Sequence, residues 1–288
     1  MTSPAWMQRL VEGAIEPGRV QEALQQLAER WPAALPLLPE VCLGFVDEGA
    51  ALAHLLSVSP ISAGKLSSDP AALVWLARGN IHETGRGPVR MRADYEELRR
   101  QFEGEAAAFD PRFQALRRWK AREMLRIALR EVAGWSSIEQ STLELTIVAE
   151  LCLQIVCRGW LEELTRKWGR PATNFAVLGM GKLGGHELNY SSDIDVMLFF
   201  GEDGRLNPRF THQEFFARLA EKIIATFSAN DPAGPLFRID LRLRPEGVSG
   251  PLVRSLESME HYYAAFGETW ERMALIKARV VAGTDDAK

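Results

Sequence analysis

The chain has 288 residues, 47% of them hydrophobic and 25% charged, with 23 glycines and 15 prolines. A length near twice ~150 residues suggests about two domains, and the mix excludes wholesale disorder, collagen-like repeats and low complexity. A net charge of −4 provides no basic footprint for coating a nucleic-acid duplex. In chain order, residues 20–31 form an amphipathic stripe, with Val20, Leu24, Leu27 and Trp31 three and four apart. Proline-bearing breaks follow at 32–39 and 57–60. Residues 90–108 predict a helix with Tyr95, Leu98 and Phe102 on one face, and 113–133 another, rich in arginine. Residues 137–168 predict the longest helix, apolar around its middle and so buried there. At Asn174 the period changes. Short strands are predicted over 175–178, 194–200 and 236–243, with a helix over 211–229 between the last two and further helices over 259–266 and 269–281.

Cys42, Cys152 and Cys157 are too few and too irregular for a disulfide framework or a four-ligand zinc site, and read as small apolar core residues in a reducing compartment. Residues 1–20 lack the charged-then-apolar pattern of a signal peptide. No uncharged apolar run approaches the ~18 residues of a membrane span; the best, 151–157, is closed by Glu150 and Arg158. A cytoplasmic chain without membrane or nucleic-acid partners is the expectation. His54, His82, His186, His212 and His261 are scattered without metal spacing, although His186 lies in the glycine-rich loop described next. The basic run Arg117, Arg118, Lys120, Arg122, Arg126 and Arg130 reads as a solvated helix face.

Three pieces carry chemistry. Gly179-Met180-Gly181-Lys182-Leu183-Gly184-Gly185 follows a strand, where glycines let backbone amides approach an anion and Lys182 places a cation beside it. It lacks the Ser or Thr of a Walker A loop, and the acidic residue a dinucleotide fingerprint needs ~20 residues on. A tight structural turn reads equally well from this piece alone. In Ser191-Ser192-Asp193-Ile194-Asp195 the two aspartates share one strand face, about 7 Å apart by strand rise. Their repulsion and desolvation are relieved by a hard divalent cation, magnesium or manganese. Over residues 236–245, Arg238, Asp240, Arg242 and Arg244 alternate with Phe237, Ile239, Leu241 and Leu243, which sets a third carboxylate beside guanidinium groups suited to phosphate. Two metals ~3.5–4 Å apart, clamped by three carboxylates, suit in-line attack at phosphorus, so the combination reads as a metal-dependent nucleotidyl-transfer site.

Residues 179–195 (GMGKLGGHELNYSSDID), 240–253 (DLRLRPEGVSGPLV) and 270–279 (WERMALIKAR) resemble the glutamine synthetase adenylyltransferase/adenylyl-removing enzyme family, whose domains belong to the DNA polymerase β-like nucleotidyltransferase superfamily. The likeness is strong over about 110 residues and looser from Phe113 onward, through 124–128. It implies an α+β fold: a helical region over 1–170, a nucleotidyltransferase core over 171–254, and the start of a further helical segment over 255–288. Family members carry two related catalytic domains, one removing AMP from a glutamine synthetase tyrosine by phosphorolysis to ADP, the other attaching AMP from ATP. Gly179-Met180-Gly181, the 250–253 segment and the 270–279 block resemble the removing half more closely, and the helical leader suits it.

By this resemblance Asp193, Asp195 and Asp240 are the catalytic metal carboxylates for Mg2+ or Mn2+, while Gly181, Lys182, Ser192, Arg242 and Arg244 contact phosphate and nucleotide. Trp270 could stack on adenine, with packing the expected role. The implied partners are glutamine synthetase, ADP or ATP with phosphate, and a PII-type nitrogen signalling protein. Because family members continue into a helical bundle and a second half, the chain reads as a fragment. AMP attachment and a catalytically idle docking module are the rival readings.

Overall fold

A computed structural model describes residues 5–30, 48–69, 71–78, 81, 85–102, 111–231 and 233–284. The break expected over 32–39, Trp31, Cys42, His82, the second part of the helix expected over 90–108, and residues 285–288 lie outside them.

The helices run α1 (Ala5–Glu12), α2 (Pro17–Arg30), α3 (Glu48–Val58), α4 (Pro60–Ser68), α5 (Ala71–Arg78), α6 (Pro88–Arg100), α7 (Pro111–Val132) and α8 (Ile138–Trp168). The α2 stripe buries Val20, Leu24 and Leu27 as its spacing demands. At the 57–60 break, Ser59 caps α4 by accepting from the Ser62 N–H, and Pro60 occupies the first turn, where no amide is needed. Ser137 caps α8 in the same way. By length and composition α8 could cross a membrane, contrary to the apolar-run reading, yet 61% of its most apolar window is buried inside the fold, the mark of a core helix. Cys152 and Cys157 are free and buried on it, and burial pushes both thiols up to about 12.

Helix α7 overturns one expectation. Its Leu125 and Leu129 join the core made by α1 to α5, whereas its Leu116, Trp119, Met124 and Ile127 join the core shared by α6, α8 and the sheet. With apolar neighbours on both sides, Arg117, Arg122, Arg126 and Arg130 are only 4%, 8%, 1% and 2% exposed; Arg118 alone of these arginines stays solvated. Each buried guanidinium is paired: Arg122 forks Asp69 at 2.7 and 3.1 Å, and Arg126 holds Glu123 at 2.8 Å and Glu144 of α8. Arg117 donates to the Phe113 and Thr226 carbonyls, and Arg130 to those of Ile81 and Trp135. Most of these partners stand on other elements, where the periodicity of a single helix cannot reveal them.

The sheet begins at the period change. Its strands are β1 (Phe175–Gly179), β2 (Ile194–Phe200), β3 (Ile239–Asp240), β4 (Val253–Ser255) and β5 (Arg279–Gly283). Strand β1 lies between β2 and β5, antiparallel to both. Strands β3 and β4 both run parallel to β2, along its first and second halves. A parallel neighbour needs a crossover, supplied after β2 by α10 (His212–Ser228); the one-turn α9 (Gly181–Gly184) connects β1 towards β2. A Thr211–Glu214 capping box starts α10, whose Phe216 stacks on Phe175 and Phe200 at 5.5 and 5.1 Å between centroids. The opposite sheet face packs Met180 and Met197 under Met259 of α11 (Leu256–Ala265), with Ala274 at the end of α12 (Thr269–Ala274). The α+β expectation holds.

Two elements differ from the sequence reading. The strand expected over 236–243 shrinks to Ile239–Asp240, because the Asp240 carboxylate accepts the Arg242 N–H at 2.8 Å and turns the chain away from β2. The helix expected over 269–281 stops at Ala274, passes through a 3-10 turn over Leu275–Lys277, and becomes β5. The β-branched pair Val280-Val281 suits that strand, and the free edge of β1 supplies its ladder partners.

Candidate active site

Strand β2 opens with Asp193 just before Ile194 and carries Asp195 as its second residue, directly across from Asp240 on β3. Neighbouring strands are ~4.8 Å apart, so residues in register rise side by side from one face. The charges feel each other. The Asp195 carboxyl is raised above the usual range by burial first, then by Asp240 and Asp193. Asp240 is lowered, chiefly by its hydrogen bond from Arg242, whose Nε lies 3.1 and 2.8 Å from the two carboxylate oxygens. Asp193 accepts from Arg238 Nε at 2.5 Å, and both arginine side chains are 76% exposed.

The glycine loop meets these carboxylates at Gly181. This residue has φ +49, and a Cβ there would stand 3.0 Å from Asp195 Oδ2. The Met180 N–H donates to the Asp195 carbonyl at 2.8 Å, which fixes the loop against β2. Lys182 is exposed and its charge acts on Asp195. Ser192 closes the turn before β2, its hydroxyl accepting the Asn189 N–H at 3.3 Å. Arg244 does not stand on the strand face where alternation put it. Once the chain has turned at Leu241, its guanidinium donates to the carbonyls of Leu241, Val248 and Gly250 and braces that loop.

Between Gly185 and Asp193 the chain is tied to the helical region. The Leu188 N–H donates to Thr146 Oγ1 of α8 at 3.2 Å, and Tyr190 donates to Glu131 of α7 at 2.9 Å. His186 takes a left-handed φ of 58, with Nδ1 4.0 Å from Glu150. Trp270 is 57% exposed rather than packed. A crevice of about 480 Å³ opens at the far end of β1, between α8 and Thr284, away from the aspartates.

Asp193, Asp195, Asp240, Gly181 and Lys182 are thus brought together, with Ser192 at the margin and Arg242 on Asp240. Their donor chemistry suits a hard divalent cation: three carboxylates from adjoining strand ends, one of them raised by burial and then by the other two. As placed, the three carboxylates do not converge on one ion: among the described residues no group of three acidic, His or Cys side chains is set to hold a metal. Arg238 and Arg242 take the outer carboxylates. Arg238 is legible in the alternation that includes Asp240, but its pairing with Asp193 depends on two strands meeting.

A family model described as glutamate-ammonia ligase adenylyltransferase matches residues 49–288. The chain belongs to that family. Among its relatives is a bifunctional glutamine synthetase adenylyltransferase/adenylyl-removing enzyme of Nitrosococcus oceani, 43% identical over 180 residues, 58% of this chain and 18% of the relative. The enzyme of the same name from Pseudomonas aeruginosa is 37% identical over 246 residues, 81% of this chain and 24% of the relative. That of Shewanella woodyi is 32% identical over 270 residues, 90% of this chain and 28% of the relative. This member of the adenylyltransferase family therefore spans less than a third of the length of these relatives.

Proposed function

We propose that the chain is a metal-dependent nucleotidyltransferase that removes AMP from an adenylylated tyrosine of glutamine synthetase by phosphorolysis. The observation that carries this reading is the register of Asp195 against Asp240, with Asp193 one residue before β2 and Gly181 against Asp195. The relatives' names supply the substrate, which would be met in the cytoplasm. In the proposed reaction a phosphate oxygen bonds to the AMP phosphorus as the tyrosyl oxygen leaves, giving ADP and a free tyrosine. Asp193, Asp195 and Asp240 would hold magnesium, or manganese in its place. When bound, the metal stabilises charge on the attacking and leaving oxygens.

The chain's own residues do the rest. Lys182 and Arg242 carry positive charge to the phosphate groups, Gly181 lets the loop lie close to Asp195, and Arg244 holds the 241–250 loop in shape. The likeness of the motif blocks to the removing half supports this direction over AMP attachment. A PII-type signalling protein belongs to the same proposal as a regulator.

The test is to incubate the chain with adenylylated glutamine synthetase, phosphate and magnesium and measure ADP, then to repeat with ATP and the unmodified target. ADP release in the first arm alone is expected. AMP incorporation in the second arm alone would reverse the direction, and binding without turnover in either would leave a docking module.

A further inference from the structure

Helix α9 is a single turn, closed by the Gly184 and Gly185 N–H groups on the Met180 and Gly181 carbonyls at 3.0 Å, and its Leu183 and Gly184 carbonyls belong to the helix end, where acceptors keep capacity for further donors. Those two carbonyls also accept from a strand nearly a hundred residues later. Arg279 donates from Nη2 to the Leu183 carbonyl at 3.0 Å and from Nε to the Gly184 carbonyl at 3.0 Å. The same guanidinium is held by Glu150 of α8. These side chains are 25% and 17% exposed, and Arg279 stands opposite Gly179 in the β1–β5 ladder. Gly184 lies so close to the Lys277 carbonyl that a Cβ would overlap it. The carbonyl end of the turn is therefore clamped against β5 and α8, while Gly181 at its other end lies against Asp195. Four helical residues rise only ~6 Å, so a shift at the clamped end is felt at Gly181 and Lys182.

We propose that Arg279, anchored by Glu150, is a positioning residue that sets the place of Gly181 and Lys182 relative to Asp195. It acts through the turn and touches no substrate. A cation on the last carbonyls also satisfies the polarity of a helical turn. The role rests on the nucleotidyl-transfer reading, since what is positioned there is the nucleotide loop.

Two measurements test it on the chain as it stands. Calorimetry with ADP and magnesium compares wild type with Arg279→Met, Arg279→Lys and Glu150→Gln. A misplacement on the order of 1 Å can cost ~100-fold at a site, so Arg279→Met is expected to weaken ADP at least ~10-fold with the number of sites unchanged, and Arg279→Lys to recover part of it. Affinity equal to wild type, or fewer sites at unchanged affinity, would mean that Arg279 only supports the fold. If Arg279→Met does not fold, Glu150→Gln decides: weaker ADP binding upholds the role and unchanged binding overturns it. The second measurement is amide hydrogen exchange over residues 180–186, expected to speed up in Arg279→Met. Unchanged exchange sinks the positioning role even if wild type binds no ADP, a result that would itself count against the proposed function.

Discussion

Asp195 shows how one residue can cost stability at the place where the proposed chemistry needs its charge. Its carboxyl is raised by burial and by two like charges, so in the folded state the charged form is disfavoured. An Asp with a folded-state pKa above its unfolded value destabilises the fold at neutral pH, and that cost fades as pH falls through the raised pKa. Asp195→Asn is therefore expected to have a Tm at pH 7 equal to or slightly above wild type, with any gain shrinking in acid. Turnover should fall at least ~100-fold, since metal-held charge is worth several kcal/mol at ~1.4 kcal/mol per decade. Thermal melts at two pH values with the ADP-release assay check both halves. Turnover above a tenth of wild type would remove Asp195 from the proposed metal site. Asp193, Asp195 and the glycine loop were legible because their spacing is local, since two carboxylates two positions apart on a strand share a face in any sheet, and Asp240 was legible in the alternation of its own segment. The fate of Arg244 was not, because a turn at Leu241 rotated it onto carbonyls that alternation does not foresee.

At the scale of elements, boundaries followed local capping and failed where pairing decided. Strand β2 and helix α10 match the apolar run and the stripe that predicted them, and the Thr211 capping box fixes the start of α10. Strands β3 and β5 depended on which edges were free to pair, a property of the sheet and not of the segment. The buried charges of α7 obey the same logic. Arg126 is 1% exposed, and Glu123 and Glu144, its two partners, are 0% and 3% exposed. Removing one member of a buried pair leaves charge without compensation and costs about 3–5 kcal/mol. Arg126→Met is expected to lose that much in urea unfolding. A loss below ~1 kcal/mol would show that Glu123 and Glu144 can be satisfied without it.

Across the whole molecule, α7 is the wall between two hydrophobic cores. Leu129 is 1% exposed and faces the helical core of α1 to α5, away from the sheet that carries the aspartates. Leu129→Ala is expected to cost about 2–5 kcal/mol. It should raise amide exchange first in α2 and α3, while β1 and β2 keep their protection; exchange rising equally in the sheet would show that the two cores open as one unit. The helical region, the two main strands, the acidic and glycine motifs and the family they resemble could be read from the residues alone, because those signals lie within one turn or one strand of each other. That Asp240 faces Asp195, that the arginines of α7 are buried against partners, and that Arg279 reaches α9 emerged with the packed fold. Each of those outcomes joins residues distant in sequence, and which groups meet is set by burial of the two cores and by the sheet edges left open to hydrogen-bond.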